Sequence, residues 1–214
     1  MEKSLRITEV FYSLQGETNT VGLPTVFVRL TGCPLRCSYC DTAYAFAGGE
    51  KRLLSEIIQQ VDQYKARYVT VTGGEPLAQG ACHELLEQLV EKNYIVSLET
   101  SGAIDISMVD PRVVKVMDLK TPSSNEEDKN LYQNIEKLTK TDQVKFVIAG
   151  SIDYEWSKAI MLKYNLTSRC EVLFSPVMGQ MNATELAEKI IQDNLPVRFQ
   201  IQLHKYLWDD AQGK

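Results

Sequence analysis

The chain has 214 residues, 44% of them hydrophobic and 24% charged, a balance that supports a full buried core and one domain over residues 1–214. Its net charge of -5 and pI near 5.2 exclude a surface built to neutralise a phosphate backbone, so a small-molecule substrate and no nucleic-acid partner are expected. No apolar run reaches the roughly 20 residues that span a bilayer. The opening MEKSLRITEVFYSLQGE also lacks the apolar stretch of a signal peptide, so a cytoplasmic protein without a membrane partner is expected.

Residues before Pro24 read as an N-terminal arm. From there, β-branched runs alternate with amphipathic stretches. The first expected strand is Thr25 to Leu30, followed by a helix from Leu53 to Tyr64, a strand from Tyr68 to Thr72 and a helix from Gly80 to Lys92. Strands at Ile95 to Glu99 and Val113 to Leu119 come next, then a helix over Lys129 to Leu138 and a strand over Gln143 to Ile148. The pattern closes with a helix at Tyr154 to Lys163, a strand at Glu171 to Phe174, a helix at Thr184 to Asp193 capped by the Asn182-Ala183-Thr184-Glu185 run, and a strand at Val197 to Gln202. Ser123 to Asn130 is the most polar loop and is expected to be mobile.

Alternating strands and helices pair in parallel through right-handed crossovers, which gives an α/β sheet or barrel. A complete eightfold barrel takes about 250 residues, so an open, partial (β/α) barrel is expected, contracted and carrying the N-terminal arm. Its active face lies just past the carboxyl ends of the strands. Those positions hold Thr31-Gly32-Cys33, Thr72-Gly73-Gly74-Glu75-Pro76, Glu99-Thr100-Ser101-Gly102, Asp118-Leu119-Lys120-Thr121-Pro122, Ser175-Pro176 and Gln202-Leu203-His204-Lys205. Any one of these alone reads equally well as a turn or a cap.

Cys33-Pro34-Leu35-Arg36-Cys37-Ser38-Tyr39-Cys40 gathers three of the five cysteines into one loop at a strand mouth. In a reducing compartment this favours metal ligation over disulfides. Such a loop suits an iron–sulfur cluster whose fourth iron stays open, because Cys82 falls in an expected helix and Cys170 near a strand start, both read as small buried residues. Zinc is the rival metal, but it takes four ligands, and the two histidines, His83 and His204, lie far along the chain.

The C-x3-C-x2-C spacing after a first strand, with Gly73-Gly74-Glu75-Pro76 after the second, resembles the radical S-adenosylmethionine (SAM) superfamily. Within it, Tyr12-Ser13-Leu14-Gln15-Gly16-Glu17, Phe27 to Cys33, Cys40-Asp41-Thr42, Asp118 to Ser124 and Gln202 to Trp208 are similar to the 7-carboxy-7-deazaguanine synthases. The resemblance touches both ends of the chain and nearly every strand edge. It implies a radical SAM-type partial barrel, a lyase that contracts the ring of 6-carboxy-5,6,7,8-tetrahydropterin to 7-carboxy-7-deazaguanine with loss of ammonia, and a place in the synthesis of queuosine and related 7-deazapurines for tRNA modification.

Three cofactors are implied. A 4Fe–4S cluster takes Cys33, Cys37 and Cys40, SAM chelates its fourth iron, and Mg2+ binds at Thr42. Reductive cleavage of SAM then yields a 5'-deoxyadenosyl radical that takes a hydrogen from the carboxylate-bearing carbon, so no side chain is expected to act as a catalytic acid or base. Carried over by position, SAM is expected to meet Tyr39, Cys40, Asp41, Gly73, Gly74, Glu75, Glu99, Asp118, Leu119, Lys120 and Ser175, the glycines letting backbone approach the cofactor's ammonium. The pterin is expected to meet Leu14, Gln15, Gly16, Glu17, Arg29, Thr72 and His204. Arg29 suits the substrate carboxylate as a planar fork, and Gln15 and Glu17 suit the amide-like edge of the ring. His204 is also read as a buttress of the C-terminal segment. An electron donor such as flavodoxin or ferredoxin and a homodimer are implied as well, and Asp210 to Lys214 are assigned no role. Two alternatives stay open at this stage: a glycyl-radical-enzyme activase and a zinc-stabilised binding module.

Overall fold

The computed structural model describes residues 2–209 and 211–214. Nine strands form one open sheet in the order β3-β1-β2-β4-β5-β6-β7-β8-β9. Seven of them, β2 (Pro24–Leu30), β4 (Tyr68–Gly73), β5 (Ile95–Thr100), β6 (Val114–Asp118), β7 (Gln143–Ile148), β8 (Glu171–Pro176) and β9 (Arg198–Phe199), run parallel. Crossover helices α1 (Leu54–Gln63), α2 (Cys82–Glu91), α3 (Ser151–Lys163) and α4 (Ala183–Gln192) link them, with Asn182 accepting from the Glu185 amide as the α4 cap. The sheet does not close on itself, so the expected partial barrel is what forms.

Side chains alternate across each strand, and the alternation sorts chemistry by face. Val26, Val28 and Leu30, Val69 and Val71, Val96 and Leu98, Val144, Phe146 and Ile148 all join the buried core with Ile57, Val61, Leu85, Leu89 and Ile160 of the helices. The intervening residues, among them Arg29, Thr72, Glu99, Asp118 and Lys145, line a cavity on the other face.

Four expectations are corrected. The N-terminal arm is a strand, β1 (Ser4–Leu14), antiparallel to β2 and to β3 (Glu50–Leu53). Its irregularity between Ile7 and Glu9 breaks the two-residue period that would have announced it. The expected helix at Lys129 to Leu138 is instead two 3-10 turns, Glu127–Lys129 and Tyr132–Lys137. Asparagine side chains compete there: Asn130 bonds both backbone groups of Lys120 at 2.8 Å, and Asn134 takes the Gly102 and Ile104 carbonyls. The last strand is only two residues long, because the Gln200 side chain turns inward to the Thr18 carbonyl and the chain then enters α5 (Leu203–Trp208). The loop at Ser123 to Asn130 is tied down: Ser124 is fully buried, the Ser123 amide donates to Asp153 and the Trp156 indole donates to Glu127.

Among the described residues, no helix is long and apolar enough to cross a membrane.

Candidate active site

The loop between β1 and β2 folds across the inner face of the sheet. Gln15 directs it. The side-chain oxygen of Gln15 accepts from the Gly16 and Glu17 amides at 2.8 and 3.1 Å, and its nitrogen donates to Thr70 Oγ1 and Glu99 Oε1 at 3.0 and 3.3 Å. Both donors and both lone pairs are therefore used within the protein. Gln15 lines the cavity, and its amide shapes the wall from which Glu17 projects.

The cavity measures about 410 Å3 and opens at the carboxyl ends of the strands, a size that suits a small molecule. Its lining includes Cys33, Cys37 and Cys40, with Tyr39, Gly73, Gly74, Asp118 and Lys120. Leu14, Gln15, Gly16, Glu17, Arg29, Thr72 and Glu99 line the same cavity. Asp41, Thr42 and His204 also line it.

The cysteine loop is held by the protein alone. The Gly32 amide donates to the Ala45 carbonyl, the Ser38 amide donates to Ser124 on the neighbouring loop, and the Arg36 guanidinium covers the Cys33 carbonyl at 2.7 Å while stacking on Phe46. Burial pushes all three thiols up, Cys37 to about 11. Lys120 pairs with Asp118 at 3.1 Å, and burial pushes the Tyr39 phenol up to about 12.

Three residues expected to touch SAM do not line the cavity. The Glu75 carboxylate is wholly buried behind it and accepts from Thr100 Oγ1, the Ser101 amide and hydroxyl, and the Leu77 amide. It ties the end of β4 to the end of β5. Leu119 belongs to the apolar core, and Ser175 is buried inside β8 below the cavity wall. The glycine pair also has a protein-internal reason: a Cβ on Gly73 would lie 2.3 Å from the Leu30 carbonyl oxygen, and one on Gly74 would lie 2.3 Å from that of Gly32. The backbone these glycines let approach is the end of β2 at Leu30 and the start of the cysteine loop at Gly32.

Arg29 pairs through Nε with Glu9 at 2.7 Å, and its guanidinium lies over the rings of Phe11 and Tyr44. Its terminal nitrogens have no protein partner among the described residues. Thr72 donates to Glu99 at 2.9 Å, and burial pushes the Glu99 carboxyl up. Glu17 receives Gln202 on Oε1 at 2.7 Å and Lys145 on Oε2 at 2.5 Å. Burial works most strongly against its charge, yet Lys145 and His204 together hold the carboxyl below the ordinary value. The imidazole of His204 packs on Gly16 and lies 4.0 Å from Glu17. Burial likewise opposes the charge on Asp41, yet Lys205 at 3.3 Å, with the hydrogen bonds from Thr42 and Gln202, holds that carboxyl well below the usual range.

Sequence reasoning placed Gln202 and Lys205 on the active face without a role, and missed Lys145 and the aromatic wall of Phe11, Phe27 and Tyr44. Lys145 carried a readable signal, a charge at the centre of an otherwise apolar strand. The residues after Trp208 also line the mouth: Asp209, Ala211, Gln212, Gly213 and Lys214.

Two observations test the fit of a cluster and its cofactor. Glu17, Asp41 and His204 form the one group of three carboxylate, imidazole or thiol donors within 4.8 Å of one another among the described residues, so the three sulfurs stand too far apart to share a single zinc ion. Cys82 and Cys170 are buried elsewhere, and no fourth thiol joins them. In addition, Asp118 Oδ1 is buried in the cavity wall with no hydrogen-bond partner among the described residues, an acceptor left for a bound molecule. The donor set fits a 4Fe–4S cluster with SAM beside it.

Residues 27–158 match the Radical SAM superfamily. A 7-carboxy-7-deazaguanine synthase of Chlorobaculum tepidum is 42% identical over 216 residues, 99% of this chain and 98% of that protein. One from Koribacter versatilis is 38% identical over 95% of this chain and 97% of its own length. The crystal structure of QueE from Escherichia coli superimposes with a TM-score of 0.77 at 22% identity, over 93% of this chain and 94% of that one, which shows the shared fold.

Proposed function

Since the chain belongs to the 7-carboxy-7-deazaguanine synthases of the radical SAM superfamily, we propose that its cavity takes 6-carboxy-5,6,7,8-tetrahydropterin and releases 7-carboxy-7-deazaguanine and ammonia. The chain is a radical SAM lyase of 7-deazapurine biosynthesis, with a 4Fe–4S cluster and SAM as cofactors. The observation that carries the substrate reading is the presence, in the lining of one cavity, of three cysteines with no fourth and the polar set Glu17, Arg29, Thr72 and Glu99.

Cys33, Cys37 and Cys40 hold the cluster, which with SAM supplies hydrogen-atom abstraction from carbon. The side chains around it position and shield. Tyr39, Asp41, Gly73, Gly74, Asp118 and Lys120 face SAM, and Asp118 Oδ1 accepts a hydrogen bond from it. Glu17 presents one free lone pair on each oxygen to the amino and ring N–H groups of the pterin, since Gln202 and Lys145 use only one apiece. Arg29 offers its terminal nitrogens to the substrate carboxylate. Phe11 and Phe27, stacked at 5.0 Å, and Tyr44 give the ring an apolar surround that excludes water. Leu14, Gly16 and His204 shape the wall.

Mg2+ is assigned to Thr42, whose hydroxyl stands 2.9 Å from the Asp41 carboxylate, the oxygen-rich surround that magnesium favours. The 214 residues act as one domain, a reading supported by the single sheet. Electrons come from a flavodoxin or ferredoxin. The chain works in the cytoplasm as a homodimer, for which Ile152, Leu162 and Ile191 on α3 and α4 offer exposed apolar side chains.

The test is anaerobic turnover of reconstituted, reduced protein with SAM, magnesium and carboxytetrahydropterin. Formation of the deazaguanine with ammonia is expected, and its absence overturns the reading.

A further inference from the structure

We propose that Lys145 is a positioning residue for substrate recognition: from the centre of β7 its ammonium fixes the orientation of the Glu17 carboxylate that receives the pterin's amino edge. The proposal rests on the substrate reading above and deepens it.

Lys145 lies on the inner face of β7, with Val147 above it, and its side chain is 12% exposed. Burying an ammonium there costs several kcal/mol unless it is paired. Three carboxylates surround it: Glu17 from the β1–β2 loop at 2.5 Å, Asp118 from β6 at 3.6 Å, and Glu99 from β5. Distance decides which it serves. Asp118 already has Lys120 at 3.1 Å, and Glu99 already accepts from Thr72 and Gln15, whereas Glu17 has no closer cation than Lys145. Those carboxylates keep the ammonium charged, well above its ordinary range, against the burial that opposes it.

A structural role explains this lysine poorly. The molecule contains a structural buried lysine for comparison, Lys115 on β6, which pairs with Asp142 at 3.1 Å and also donates to the Val113 carbonyl, while Asp142 caps the Thr139 turn. Among the described residues Lys145 donates to no backbone carbonyl, and its hydrogen bond goes to Glu17. A buried ion pair of this kind adds little stability over an apolar pair of similar volume. What the pair does provide is aim: Gln202 on Oε1 and Lys145 on Oε2 hold the carboxylate from two sides where it lines the cavity.

The experiment uses cluster-loaded protein purified without oxygen, and reads iron per chain, SAM affinity, carboxytetrahydropterin affinity by equilibrium dialysis, and kcat and KM. For Lys145→Met, iron content and SAM affinity stay at the wild-type level while pterin affinity falls and KM rises about tenfold or more, with a smaller change in kcat. Lys145→Arg restores part of the affinity. In Lys145→Met/Glu17→Gln, which removes both members of the pair together and so covers the case in which the single variant misfolds, the loss is no greater than in Glu17→Gln alone.

Wild-type KM in the Met variant, additive losses in the double variant, or a loss of SAM affinity in place of pterin affinity each overturns the role of Lys145. Wild-type protein that does not bind the pterin overturns the functional reading itself.

Discussion

Glu75 stands beside two glycines in a motif that reads as cofactor-binding, yet its carboxylate points into the protein and meets four donors from Leu77, Thr100 and Ser101. Such a group is worth more to the fold than to a ligand. Glu75→Ala is expected to cost about 3 kcal/mol or more in urea unfolding, because the buried partners lose a charged acceptor. Gly74→Ala drives a methyl toward the Gly32 carbonyl, and backbone has nowhere to yield without moving Cys33, so iron per chain should fall sharply in the purified variant. Arg29→Ala removes a guanidinium that touches the pocket and not the cysteines. Its KM for pterin should rise with iron content unchanged, and an unchanged KM would remove Arg29 from the substrate's contacts. The residue types were legible at all three positions; the direction in which Glu75 points was not, because direction depends on which strand end lies next door.

Helix α5 shows how a short element is held. With six residues it is too short to be stable alone, and it docks because the Leu203 amide donates to the Gly16 carbonyl and Lys205 reaches Asp41. The Asp41 carboxyl lies well below its ordinary range. A depressed carboxyl contributes stability that is complete above the unfolded-state value, about 3.9, and is lost only as the pH falls through the folded-state value. Hydrogen-exchange protection of the 203–208 amides should therefore stay flat from about pH 8 down to about pH 5, and a loss of protection in that window would show that the latch lies elsewhere. The final strand and this helix were read as one strand from Val197 to Gln202, since the pull of Gln200 toward the Thr18 carbonyl is a contact between residues far apart in the chain.

For the molecule as a whole, the two faces of the sheet are separable. The helix-facing core is apolar and does not include Cys33, Cys37 or Cys40, while the loop that carries them is tied by backbone hydrogen bonds to Ala45 and Ser124. Anaerobic preparations should be brown with about four irons per chain. Cys37→Ala should be colourless and inactive but keep its far-ultraviolet circular dichroism; collapse of that spectrum would show that the cluster holds the fold together. A colourless wild-type protein containing zinc would remove the cluster.

The sequence by itself determined the alternation of strands and helices, the polar series at the strand ends and the three cysteines short of a fourth, because periodicity and local spacing are properties of the chain. It also sorted the faces, since apolar and polar side chains alternate from Val26 to Ile148. Tertiary structure decided what those polar groups do. Gln15 spends its amide on its own loop, Glu75 turns away, Arg29 shares its Nε with Glu9, and Lys145 reaches Glu17 from 128 residues further along. The reason is physical: a hydrogen bond belongs to whichever partner folding brings within about 3 Å, and sequence distance does not set that.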